Sequence, residues 1–256
     1  MHTGIHRATR AFALAVVLST AASIAMAEEL ASPGTGPWEL VRDEDGIVVH
    51  RRTVEGSPLH EFRGVGVVDA PISAILGVLD DSEHRTEWMK EAVVNKRIER
   101  LSPTSEILYN RTGAPWPVSD RDVVSKAEMT FDPAAHELRI DFTSVTHPDW
   151  PPQDGVVRMP SLHGHWYMWP ERGGAATRIE YQVHADPGGL LPDWIINRVS
   201  RNIPFDTLAG MREQVVRRHY PEFEQRVAAL PEYQAIVQGS SPQVLSRSTS
   251  LTEGSP

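Results

Sequence analysis

Few residues in this chain are spaced for bond-making chemistry. The nearest approach is His163-Gly164-His165, two imidazoles at i and i+2 on one extended run, with His184 and Asp186 on the next. Two histidines at that spacing plus a third ligand could hold zinc. Alternation around His184 assigns it to the polar face, and no fourth ligand is evident, so these read as surface histidines and no metal is expected. The 256 residues include no cysteine. That excludes disulfides, a thiol nucleophile, Cys-ligated zinc and iron–sulfur clusters. A G-x-S-x-G elbow, an H-E-x-x-H pair, a phosphate-cradling glycine loop and a dinucleotide fingerprint are all missing. No catalytic residue and no cofactor is expected.

One charge stands out by its parity. Between Arg121 and Phe131, the residues Val123, Ser125, Ala127, Met129 and Phe131 share one face, and Asp122, Lys126, Glu128 and Thr130 the other. Arg121 has the parity of the apolar face. A guanidinium facing inward costs several kcal/mol unless it is paired. It needs a carboxylate or a polar ligand group, or else it sits at the strand's end and reaches water. Other runs alternate in the same way. Leu138, Ile140 and Phe142 oppose Arg139, Asp141 and Thr143; Ile179, Tyr181, Val183 and Ala185 oppose Arg178, Glu180, Gln182 and His184. Leu162, Gly164, Trp166 and Met168 form a row that suits a cavity wall or an ordinary core equally.

The elements that must position these residues are mostly strands. Gly46–Thr53 and Leu59–Val68 pair as a hairpin after a DEDG turn. Two short helices are predicted at Ile72–Asp80 and His84–Lys90. Strands follow at 92–101, 105–111, 121–131, 137–145, 156–169 and 177–185. Hairpins in succession make an antiparallel sheet. Pro192 then opens a helix in which Ile195, Val199, Ile203, Leu208, Met211 and Val215 recur at near-helical spacing. Pro204 should kink it or divide it in two. Many strands followed by one amphipathic helix predict an α+β domain, a curved sheet closed around that helix.

Around this core the chain has flanks. Arg7 and Arg10 precede an apolar run from Ala11 to Ala22, and Ala25-Met26-Ala27 offers a small-x-small cleavage site. Residues 1–27 read as a secretory signal peptide, with an uncleaved anchor as the alternative. A periplasmic or secreted protein is expected. Residues 28–37 read as a linker, 38–220 as the domain and 221–238 as a helical extension. Residues 239–256, rich in Ser, Thr, Gly and Pro, are expected to stay disordered. The formal charge is -9, from 34 acidic and 25 basic side chains. Such a balance disfavours nucleic-acid binding and constitutive docking on anionic membranes.

Three segments carry a family pattern. Pro115-Trp116-Pro117-Val118-Ser119-Asp120-Arg121-Asp122 is similar to the PxP-x3-RD segment of START domains, the steroidogenic acute regulatory protein-related lipid-transfer family. Asp186-Pro187-Gly188-Gly189-Leu190-Leu191-Pro192-Asp193-Trp194-Ile195-Ile196-Asn197 resembles the opening of that family's C-terminal helix. Trp38 followed by Gly46-Ile47-Val48-Val49 also fits, so the resemblance covers about Trp38 to His219. It implies a helix-grip fold (START/Bet v 1-like) with a tunnel between sheet and helix for one lipid. It also implies that the arginine of the RD pair, here Arg121, lies near the lipid's polar end. A cavity carboxylate often faces that arginine; Glu106 is the candidate, with Ile107 and Tyr109 competing for the inward parity of their strand. The expected ligand-binding residues are Arg121, Glu106, Tyr109, Val123, Met129, Phe142, Trp166, Tyr181, Ile195 and Val199.

The expected function is to bind and shield a single lipid, of the sterol or phospholipid class, for transport or transfer. Exposing a methylene to water costs about 0.8 kcal/mol, so a bare acyl chain or sterol costs on the order of ten kcal/mol. The expected partners are that lipid and, transiently, a membrane; the protein is expected to be a monomer. The loop Thr146–Asp154, the 132–136 turn and the Pro204 region are candidate covers. Trp150 would either insert at a membrane interface or pack on its neighbouring prolines. Two other classes remain open. One is a helix-grip enzyme, of the cyclase, dehydratase or hydrolase kind, acting on an apolar small molecule. The other is a binding module whose C-terminal helix docks a protein.

Overall fold

The computed structural model describes residues 34 and 36–238; the expected signal peptide, most of the expected linker and the expected tail lie outside the described residues. In chain order the elements are β1 (Glu39–Glu44), β2 (Ile47–Val54), β3 (Ser57–Val68), α1 (Ile72–Asp80), β4 (Ala92–Ser102), β5 (Ser105–Thr112) and β6 (Arg121–Asp132). Then come β7 (Glu137–Ser144), β8 (Val157–Arg158), β9 (Ser161–Glu171), β10 (Ala176–Asp186), α2 (Asp193–Ser200), α3 (Ile203–Arg217), α4 (Pro221–Ala228) and α5 (Pro231–Gln238). The strands form one sheet in the order β1-β2-β3-β10-β9-β7-β6-β5-β4. Its ladders are antiparallel except for the short β8, which runs parallel beside Arg121 and Asp122 of β6. An α+β helix-grip architecture results, with α3 held in the concave side of the sheet.

The grip depends on close approach. Phe205, Leu208, Met211 and Val215 of α3 are buried, and α3 lies mainly over β2, β3, β10 and α1. At Gly64 of β3 a Cβ would stand 2.7 Å from Pro204 Cβ. The missing side chain therefore lets the helix sink onto the sheet. Ile47, Ile75, Leu138, Met168, Ile179 and Met211 are fully buried there.

Prolines explain most departures from the predicted elements. Pro204 stands in the first turn of α3, where a missing N–H costs nothing. The predicted single helix is accordingly two, joined through Arg201 and Asn202. Pro231 likewise opens α5 rather than interrupting a helix. Pro160 cannot donate to a ladder, and the predicted 156–169 strand divides there into β8 and β9. The predicted His84–Lys90 helix is only a 3-10 turn at Arg85–Glu87. Strand β1 was not anticipated, because ELVRDE shows no alternation of burial.

Candidate functional site

Register assembles the site from separate strands. Met129, Ile140, Trp166 and Tyr181 stand side by side across β6, β7, β9 and β10. Phe142 and Val183 sit in the neighbouring row, on either side of Gly164. Because side chains alternate strictly, all of these face the concave side. The Trp166 and Tyr181 rings stack at 4.3 Å, and Phe142 and Tyr181 at 6.1 Å. The helices cover this face unevenly. α3 reaches β10, and α5 packs on β6 and β9, while Met129, Phe131, Ile140, Phe142 and Leu162 remain only partly buried. An apolar strip along β6 and β7 is thus left short of neighbours.

At the β6 end of that strip stands Arg121, 8% exposed. It donates from Nη1 to the Ser119 carbonyl at 2.5 Å and from Nη2 to the Gly188 carbonyl at 3.4 Å. Its Nε is buried without a partner. Among the described residues it forms no ion pair, because Asp120 is taken by Arg111 at 2.7 Å. The Ala114 amide and the Arg111 guanidinium hold the Asp120 carboxyl below its usual range. Arg121 thus hydrogen-bonds only neutral carbonyls, and Asp120, already paired with Arg111, offsets its charge only from beyond ion-pair distance.

A second inward guanidinium, Arg85, lies in the segment predicted as the short helix His84–Lys90, where nothing in the sequence singled it out. It donates to the Leu79 carbonyl, and its Nε is also buried without a partner. Burial lowers its pKa, opposed by nearby Glu106. The same surroundings include Tyr181, whose phenol burial pushes up. No one-dimensional signal distinguishes such an arginine from a solvated one.

Several expected site residues fall elsewhere. Glu106 does share the concave parity, but it sits opposite Ala127, about 20 Å along β6 from Arg121 at 3.3 Å per residue. It pairs instead with Arg97 at 2.5 Å and Arg100 at 3.4 Å. Tyr109 has the opposite parity and points to the convex side, where its ring lies 4.8 Å from Trp150. Trp150 is therefore packed on Tyr109 and not on its neighbouring prolines alone. The same loop is tied down by Arg158, which donates to the Trp150 carbonyl and holds Asp122 at 2.8 Å. Thr146–Asp154 covers the convex face, so it is not the cover of the concave one. Val199 is 55% exposed and Ile195 only half-buried. Val123, Met129, Phe142, Trp166 and Tyr181 lie on the concave face with Arg121.

The convex face of β9 and β10 also differs from the expected wet surface. His184 and Gln182 are both 6% exposed and Glu61 3%. Gln182 donates to Glu61, and the His163 and His184 rings lie 4.9 Å apart. Trp38, just ahead of β1, sits under the guanidinium groups of Arg52 and Arg63 at 4.5 and 4.3 Å. Burial lowers the pKa of His163, His165 and His184. Among the described residues no cluster of three or more His, Asp or Glu could hold a metal ion.

The rim beside Arg121 is apolar on the outside. Arg121 bridges the 113–120 loop to the 187–192 loop, and those loops and α2 present Trp116, Leu190 and Trp194 at 93%, 103% and 67% exposure. Within the same rim lies a cavity of about 430 Å³ between the β2–β3 turn, the ends of β9 and β10, and the start of α2.

A model of the START domain family matches residues 24–219. An uncharacterized protein of Pseudomonas aeruginosa, PA1579, is 32% identical over 71% of this chain and 88% of its own length. The mouse phosphatidylcholine transfer protein is 27% identical over 64% of this chain and 77% of its own length. Mouse START domain-containing protein 10 is 28% identical, and the chain spans 64% of its length. Among solved structures, a STAR-related lipid transfer protein fragment from Xanthomonas axonopodis is 33% identical. That structure superposes with a TM-score of 0.64 over 70% of this chain and 98% of the fragment.

Proposed function

Because this chain belongs to the START domain family, we propose that it binds one lipid of the sterol or phospholipid class against its concave face. It shields that lipid from water for transport or transfer, with no covalent step. The observation that carries this is the partly covered strip of Met129, Ile140 and Phe142 ending at a buried Arg121 that has no ion-pair partner among the described residues and an unpaired Nε. An apolar ligand would complete the burial of the strip, and an anionic or strongly dipolar end would satisfy the guanidinium. Similarity to lipid-transfer proteins supports the proposal.

The tunnel opens through α2, a helix with no buried residue, so its displacement exposes little new apolar surface. The apolar rim of Trp116, Leu190 and Trp194 meets the membrane while the lipid passes, since tryptophan favours the bilayer interface. The protein works as a monomer in the periplasm or outside the cell, after loss of residues 1–27. Native mass spectrometry of protein purified from its own host tests the proposal. A lipid bound one to one is expected. Protein that is lipid-free and takes none from vesicles overturns it.

A further inference from the structure

The chain runs on past its family match. That match ends at residue 219, and α4 and α5 follow it. Both helices are fastened to the domain. Tyr220, the residue before α4, donates its hydroxyl to Asp81 Oδ2 at 2.7 Å and its amide to Glu224 Oε1 at 3.0 Å. A Cβ on Gly77 would stand 2.7 Å from Tyr220 Cδ2, so the ring lies directly on α1. Val227 of α4 and Tyr233 and Ile236 of α5 are buried. α5 packs on β6, β9 and the Arg172–Gly174 turn.

Those contacts place α5 at one end of the concave face. The Arg172–Gly174 turn joins β9 to β10, and register sets Phe131, Leu138, Met168 and Ile179 side by side near it. Arg121 stands at the opposite end, where β6 begins. Because β7 lies between β6 and β9 in the sheet, a helix that touches both crosses the apolar strip and does not extend it. From Arg121 to Met129 the strip runs about 26 Å, at 3.3 Å per residue. An acyl chain laid along it from the Arg121 end meets α5 at the other. We infer that α4 and α5 form the closed end of the tunnel, and that Tyr233 and Ile236 set the longest acyl chain the protein accepts. The inference rests on the lipid-carrier function and adds to it a selection by chain length, made by a segment outside the family match. A methylene that reaches α5 must overpack a filled core or stay in water, and both are unfavourable.

The test offers the full-length protein one population of mixed vesicles. These hold equal amounts of phosphatidylcholines whose monounsaturated acyl chains lengthen in regular steps, and native mass spectrometry reads which are bound. Up to the limit, a methylene gains in the tunnel what it loses in the bilayer, so uptake should be level. Beyond it, each methylene without room should lower uptake about fourfold. Ile236→Ala should move the drop to longer chains, and Ile236→Val should move it the same way by less. Destabilisation alone would lower loading at every length and leave the drop in place. The milder Ile236→Val keeps the test decisive if Ile236→Ala fails to fold. Leu230→Ala, at an exposed position between α4 and α5, should leave the drop where it is. A level profile in wild type, no uptake of phosphatidylcholine, or a drop unmoved in the Ile236 variants overturns the inference and leaves the carrier function standing. Uptake of neither phosphatidylcholine nor cholesterol from vesicles, with no lipid from the native host, overturns both.

Discussion

Arg121 carries opposite consequences for stability and for binding. Its charge is buried against two carbonyls with Nε unpaired, so without ligand it strains the fold. Replacing such a charge by an apolar group of similar size tends to be neutral or stabilising. Arg121→Leu should therefore leave the melting temperature of lipid-free protein unchanged or higher, while lipid affinity falls about tenfold or more. A parallel loss of both would reduce Arg121 to a structural residue. The half-buried His163 and the buried His184 make a second residue-scale prediction. His163 and His184 have folded pKa values below the unfolded one, chiefly through burial. Protons then bind the unfolded chain preferentially, and stability falls as pH drops through about 6.5. Thermal melting should shift downward between pH 7.5 and 5.5. His184→Gln, which cannot titrate, should flatten that dependence.

At the scale of elements, what separates gate from scaffold is burial. α2 buries no residue, whereas α5 buries Tyr233 and Ile236, the latter to 0% exposure. Ile236→Ala should cost about 2–4 kcal/mol of stability, read by denaturant unfolding, because α5 closes the sheet over β6 and β9. Trp116→Ala combined with Trp194→Ala should slow transfer between vesicles several-fold with no change in melting temperature. Both side chains are exposed and do little for the isolated fold. An unchanged transfer rate would move the membrane contact elsewhere. The Thr146–Asp154 loop belongs with the scaffold, fixed by the Arg158–Asp122 ion pair at 2.8 Å and the Trp150–Tyr109 contact.

For the molecule as a whole, the sheet supplies more apolar surface than its helices cover, and a bound lipid would complete the core. Much of that was legible in the chain before folding. Alternation assigned Val123, Met129, Phe142 and Tyr181 to one face, and the parity of Arg121 set it among them, because the period of a strand is local and strict. Proline positions announced the breaks near residues 204 and 231, though not which side of each break would begin a helix. What only the tertiary structure decided is partnership. Glu106 had the right parity, yet the register of β5 against β6 carried it to Arg97 and far from Arg121. Arg85 became a partly buried charge, His184 became buried and His163 and His165 half-buried, through segments distant in sequence. A strand's own residues determine which way a side chain points; what it meets depends on neighbours that pairing and packing bring from elsewhere in the chain.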